Sequence, residues 1–215
     1  MSDTPLEAID VQRRSGNEHF RAAGEATSFD VLDFWRWSTS DLVLNVTRGV
    51  LAEYIVAKAL DVCTDKPREG WAEYDLETSE GVRIEVKSSA YLQSWPQKEY
   101  SKISFLVQKR FGMDPETKLP EATARRHAHV YVFAVLAHRD KLSVEPLDLS
   151  QWEFWAVPTR DLDRRTRSQH SITAPSLRRL AGEPVDFWHL RAAFDSAAER
   201  AGHPGAEERD AGQHE

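Results

Sequence analysis

An aspartate, a glutamate and a lysine stand on two neighbouring extended segments, and their spacing places them on one surface. Residues 71–78 alternate, with Ala72, Tyr74 and Leu76 on one side and Glu73, Asp75 and Glu77 on the other. Residues 82–87 alternate likewise, Val82, Ile84 and Val86 against Arg83, Glu85 and Lys87. Between them, Ser79-Glu80-Gly81 suits a three-residue hairpin loop, with glycine where the backbone must turn left-handed. That loop pairs Thr78 with Val82, Leu76 with Ile84 and Tyr74 with Val86. It also sets Asp75 opposite Glu85, Glu73 opposite Lys87 and Glu77 opposite Arg83. A slip of one residue would turn every apolar side chain to the wrong face, so burial favours this register.

Two carboxylates across a strand pair, with β-carbons about 5 Å apart, repel each other. A cation between them removes the repulsion. Mg²⁺ typically takes one or two carboxylates, keeps several waters and shares the rest of its shell with substrate phosphate. Asp75, Glu85 and Lys87 in this layout meet the needs of metal-assisted phosphodiester hydrolysis. The ion polarises the phosphate and acidifies a bound water, while the lysine orients or deprotonates that water. The same alternation also suits the solvated face of an ordinary amphipathic hairpin, and these three residues alone do not separate the two readings.

The elements that must hold these side chains are readable. Residues 41–60 carry Val43, Val46, Val50, Tyr54 and Ala57 at the three-to-four spacing of a buried helix face, with Ser38, Ser40 and Asp41 offering capping oxygens. Segments 102–109, 128–137 and 153–158 are rich in β-branched and aromatic residues and read as strands. Residues 174–182 and 186–200 read as helices, and a low-amplitude pattern over 11–23 reads as a short one. A helix, a run of about five strands, then helices predicts a mixed α/β (α+β) domain. Glu53 is the only acid between Val50 and Leu60. A buried carboxylate is costly unless paired or metal-bound, although a rotated helix would bring Glu53 to solvent or to Arg48. Gly49, one turn earlier, would let the hairpin or a substrate backbone approach closely.

Glu53 on a helix, Asp75 on the next strand and Glu85-Val86-Lys87 on the strand after resemble the PD-(D/E)xK nuclease superfamily, with its restriction-endonuclease-like fold. The stretch RGVLAEYIVAKAL (48–60) is similar to the first-helix pattern of many members, and the resemblance covers about 41–160. Tyr74 stands where the name-giving proline would be. The resemblance implies a central mixed sheet flanked by helices and a Mg²⁺-dependent endonuclease, with Mn²⁺ as a substitute ion. It implies Asp75 and Glu85 as principal metal ligands, the Val86 carbonyl as a further oxygen, and Glu53 completing the shell directly or through water. Lys87 would be the water-orienting or general-base residue. DNA is implied over RNA as substrate. A catalytically silent nucleic-acid-binding or scaffold protein of the same fold is the alternative, as is an RNA-directed nuclease.

Charge neither demands nor forbids a polyanion. The chain of 215 residues has a formal net charge of -7, but residues 1–30 and 196–215 each contribute -3. The remainder is near neutral, and 98–139 and 160–180 are each +4. The nucleic-acid contacts expected are Ser89 and Gln93 after the catalytic strand and Lys109 and Arg110 at a strand end, with Arg125 and Arg126 weighed beside them. Solvated strand ends and an ordinary loop would present the same residues. His127 and His129 share a strand face and suggest a metal only weakly, for want of a third ligand. Trp35, Trp37, Trp152, Trp155 and Trp188 are assigned to packing. The lone Cys63 excludes an internal disulfide and any cysteine-rich zinc module.

The domain plan expected is an extension over 1–30, a nuclease-like domain over 31–195 and a disordered acidic tail over 196–215. The start lacks an apolar signal region and no stretch approaches a membrane span, so a cytoplasmic protein without a membrane partner is expected. Cleavage of both strands of a duplex would favour a homodimer.

Overall fold

The computed structural model describes residues 9–70, 72–113 and 119–202. Contacts divide the chain into two units, one of 9–40 with 63–70 and the other of the remaining described residues. Trp71 and the tail beyond Gly202 lie outside the described residues.

The first unit is a hairpin of β1 (His19–Ala22) and β2 (Glu25–Asp30), followed by helix α1 (Val31–Thr39). A helix over 11–23 is therefore not formed. Ala23 and Gly24 both take positive φ at the turn, and a tight reversal there lets the Phe20 and Phe29 rings meet at 4.9 Å. Asp30 begins α1 through a reciprocal capping box with Asp33. Trp37, on this helix, is 84% exposed and does not pack, unlike the expectation for it.

In the second unit, α2 (Asn45–Ala59) precedes a four-stranded mixed sheet in the order β3 (Leu76–Glu77), β4 (Arg83–Ala90), β6 (Val130–Leu136) and β7 (Trp152–Pro158). β4 and β6 are parallel, and the other two pairings are antiparallel. The remaining strand of the expected run, β5 (Ser104–Leu106), instead pairs with β8 (Ser171–Thr173) in a separate two-stranded sheet. It lays Phe105 edge-on to Phe133 of β6, with ring centroids 4.9 Å apart. Short helix α3 (Thr159–Asp163), α4 (Ala174–Ala181) and α5 (Leu190–Ala201) complete the unit. The last helix thus runs on through 196–201, the first residues of the expected tail.

All seven residues of β6 are buried, as an apolar strand covered on both faces requires. On one face Val130, Val132 and Ala134 pack with Ile84 and Val86 of β4, Ala52 and Val56 of α2, and Phe194 of α5. On the other, Tyr131 and Phe133 pack with Phe105, Trp155, Ile172 and Leu177. Trp152 and Trp155 are core residues as expected, whereas Trp188 is exposed.

Helix α2 turns a different side inward from the stripe predicted. Val46 is 76% exposed, Val50 and Tyr54 are also exposed, and Ala52, Ile55, Val56 and Ala57 are buried. The helix is apolar nearly all round, so hydropathy does not choose a face. The small side of Ala52 lets the helix lie close to the sheet. Asp41 accepts from the Val43 and Leu44 amides in the turn before α2, and Leu44 stands at the cap without a side-chain bond. Gly49 has open space where a β-carbon would go, so the hairpin does not approach it closely.

Candidate active site

The hairpin loop forms as its residues dictate. Gly81 has φ +78°, its amide donates to the Thr78 carbonyl, and the Thr78 amide donates to the Val82 carbonyl at 3.1 Å. Leu76 pairs with Ile84 and Glu77 with Arg83, the predicted register. Then the ladder breaks. The Asp75 amide donates to the Ile84 carbonyl at 3.0 Å, one residue short of that register, and no pairing continues beyond it. Asp75 therefore does not sit directly across from Glu85, nor Glu73 across from Lys87, nor Tyr74 across from Val86. Tyr74 instead packs towards the face of Tyr131 and Phe133, with Arg83 over its ring and its hydroxyl donating to Glu77.

Where the ladder ends, the Asp75 carboxylate takes over. Its Oδ2 accepts from the Val86 amide at 2.7 Å, replacing the main-chain carbonyl that a continuing strand would supply. A residue in a strand directs its N–H and C=O to the same side. The Val86 carbonyl therefore also leaves β4 on the Asp75 side, where no strand consumes it.

Glu85 and Lys87 pair in register with Tyr131 and Phe133, so they project from the face opposite α2. Glu85 is buried and its Oε1 receives the Lys87 ammonium in an ion pair. Both line a pocket whose walls include Glu73, Arg110, Arg125 and Tyr131. Burial first, and then the neighbouring Glu85 charge, pushes the Tyr131 hydroxyl well above the usual phenol range, so it remains a neutral donor. The Arg110 guanidinium makes no ion pair with a described residue, whereas Arg125 is held by Glu121, with a contact of 2.7 Å.

The remaining sequence candidates divide. Glu53 is buried on α2, which packs on the other face of β4, and neither Glu53 nor Asp75 is among the residues lining the pocket. Ser89 shares the face of Glu85 and Lys87 two residues further along β4. Lys109 lies 3.7 Å from Asp163 at the surface. Gln93 turns into its own loop, where its Nε2 donates to Ser101 Oγ at 3.2 Å, and it does not reach the pocket. The two histidines part company: His129 Nδ1 accepts from the Arg83 amide, and buried His127 lies beside Glu73. Its Nδ1 is 3.1 Å from that carboxylate without a hydrogen bond between them, a pairing that is ionic only when the ring is protonated.

Glu73 and Arg125 thus belong to the site in ways that alternation did not indicate. The signal for Glu73 was the expected pairing with Lys87, which the break at Asp75 cancels. Arg48 is a second surprise. Only 3% exposed, it donates to Ser88 Oγ, the Val43 carbonyl and Asn45 Oδ1, all neutral acceptors. Burial lowers its guanidinium to about 10, still charged at neutral pH.

Among the described residues no cluster of three or more His, Cys, Asp or Glu side chains is arranged as a metal site. The oxygen groups adjoining the Glu85–Val86 peptide are the Asp75 carboxylate bonded to it, the Glu85 carboxylate and the Val86 carbonyl. That hard donor set suits Mg²⁺, which needs few protein ligands, and does not suit a soft metal.

The sequence matches the family model described as bacteriophage T4 endonuclease IV over residues 5–172. No curated protein matches the chain. No helix among the described residues is long and apolar enough to cross a membrane.

Proposed function

Because the chain belongs to the bacteriophage T4 endonuclease IV family, we propose that it is a divalent-metal-dependent nuclease of PD-(D/E)xK type, hydrolysing phosphodiester bonds in DNA. The observation that carries this reading is the junction at which β3 leaves β4, with Asp75 bonded to the very peptide that joins Glu85 to Val86. Asp75, Glu85 and the Val86 carbonyl are the groups that would hold Mg²⁺ or Mn²⁺. An ion bound there supplies positive charge to the phosphate and acidifies a coordinated water.

The chain's own side chains do the rest. Lys87, paired to Glu85, presents an ammonium on the pocket side, where it orients the attacking water or accepts its proton once deprotonated. Arg110, and Arg125 beside it, direct guanidinium groups at the non-bridging oxygens, which suit their forked donors. Glu53, which like Asp75 is not among the residues lining the pocket, is the further carboxylate proposed to complete the ion's shell, directly or through water. The restriction-endonuclease-like core is the reading that best suits a mixed sheet with a helix against its β4 strand.

The test is cleavage of supercoiled DNA, single-stranded DNA and RNA, each with Mg²⁺, with Mn²⁺ and with EDTA. Cleavage of DNA that requires the ion supports the reading. DNA left intact in every condition, or cut equally well in EDTA, overturns it, and cutting confined to RNA reassigns the substrate.

A further inference from the structure

Four contacts converge on the chain segment that carries Arg110. Arg110 and Arg125 exchange main-chain hydrogen bonds at 2.9 Å, forming a two-strand bridge, and the Glu121 amide donates to the Gly112 carbonyl. His127 Nε2 approaches the Arg110 carbonyl at 3.2 Å. The Met113 amide donates to Glu73 Oε1 at 2.8 Å. Between these two anchors sits Gly112. A β-carbon there would overlap both Glu73 Oε1 and the His127 ring, and would lie 3.1 Å from Glu121 Cδ.

We infer that Glu73 and His127 are positioning residues, clamping the 110–113 segment through the space left at Gly112 so that Arg110 faces the phosphate bound over Glu85 and Lys87. The inference rests on the nuclease reading for the identity of that phosphate. Glu73 on its own charge should hinder a polyanion, because it lines the pocket and repels phosphate. A carboxylate at such a wall needs a task other than binding phosphate, and the bond to Met113 supplies a structural one. Glu73 is where β3 has already left the ladder, so its side chain is free to reach across to the 110–113 segment. The imidazole is buried and cannot swing away, which makes the clamp two-sided.

The sign of the effect separates clamp from simple electrostatics. Glu73→Ala should weaken binding of a fluorescent DNA oligonucleotide in EDTA, and raise KM in Mg²⁺, by about tenfold, the scale of one lost charge-assisted contact. Glu73→Gln keeps an amide oxygen for the Met113 N–H and removes the repelling charge, so it should bind at least as tightly as the wild type. Gly112→Ala should weaken binding like Glu73→Ala, with thermal melts reporting whether the fold is intact. In an Arg110→Ala background, Glu73→Ala should add nothing, because the clamp has lost the group it positions. Binding unchanged or tightened in Glu73→Ala, or a further full loss in the double variant, overturns the clamp. These readouts are binding ratios. A wild-type protein that binds DNA but never cuts it would sink the nuclease reading and leave the clamp result standing, whereas a wild-type protein that does not bind DNA removes both.

Discussion

The Asp75 carboxylate and the Val86 amide are joined by a 2.7 Å hydrogen bond at the point where two paired strands separate. A side chain there does what main chain does one residue earlier. The consequence for a site built on this peptide is that the position of Asp75 and the path of β4 are set by the same bond.

Replacing Asp75 therefore has two separable effects. Asp75→Asn keeps an acceptor for Val86 and should leave the melting temperature nearly unchanged while abolishing ion-dependent cleavage. Asp75→Ala orphans the amide and should also destabilise the fold by about 1–3 kcal/mol. Calorimetric titration with Mn²⁺ checks the ligand role. Unaltered Mn²⁺ affinity in Asp75→Ala would remove Asp75 from it.

Lys87 should matter to rate and also to folding. Its side chain is one-fifth exposed, and removing it leaves the buried Glu85 carboxylate without its ion-pair partner. Lys87→Ala is expected to lower kcat by about 10²- to 10⁴-fold, the range for a lost proton-transfer group. Single-turnover kinetics measures it, and wild-type rates in this variant would exclude the lysine from the chemistry.

How far these assignments could be read from the sequence differs by residue. The loop at Ser79–Gly81 and the pairs Leu76–Ile84 and Glu77–Arg83 followed from alternation and one glycine, because local geometry decides them. The break at Asp75 did not, since Ala72 and Tyr74 continue the same alternation. What accompanies the break is non-local: Glu73 accepts from the Met113 amide, forty residues away in sequence. The facing of α2 was misjudged because valines suggested the inner side while small Ala52 occupies it. Arg110 was legible as a basic residue, but the strand expected to end there stops at Leu106 and Arg110 lies in an isolated bridge with Arg125. Gly112 and His127 were not legible as its supports, because their roles exist only once the two arms of 110 and 125 are bridged.

Arg48 should be a determinant of stability. Arg48→Ala removes donors from the Val43 carbonyl, Asn45 and Ser88 and leaves a void beneath α2. Relief of the buried charge offsets part of the loss, so the expected cost is about 2–4 kcal/mol. Urea denaturation of both proteins gives the difference. A variant as stable as wild type would show that the guanidinium's desolvation cancels the gain from its three bonds.

The bridge between the arms should respond to acid through Glu121. Hydrogen bonds from Arg125 hold its carboxyl below the ordinary value of 4.5. A carboxylate lowered on folding contributes stability above its unfolded pKa, and that contribution disappears as pH falls through the lower folded value. The Glu121–Arg125 tie should thus be complete at neutral pH and fail only below pH 4.5. A carboxyl carbon titration followed by NMR would show a midpoint under 4.5, and Arg125→Ala should move it upward. A midpoint at or above 4.5 in the wild type would contradict the tie.

Parallel strands cannot be joined by a tight turn, so β4 and β6 oblige the chain to make a long excursion over 91–129. Arg110, Gly112, Arg125 and His127 all ride on that excursion, while Asp75, Glu85 and Lys87 sit on the hairpin before it. Topology thus separates the groups that would break a bond from those that would grip what is broken. Exchanging the excursion for another of similar span would alter the grip and leave the cutting residues on their original scaffold.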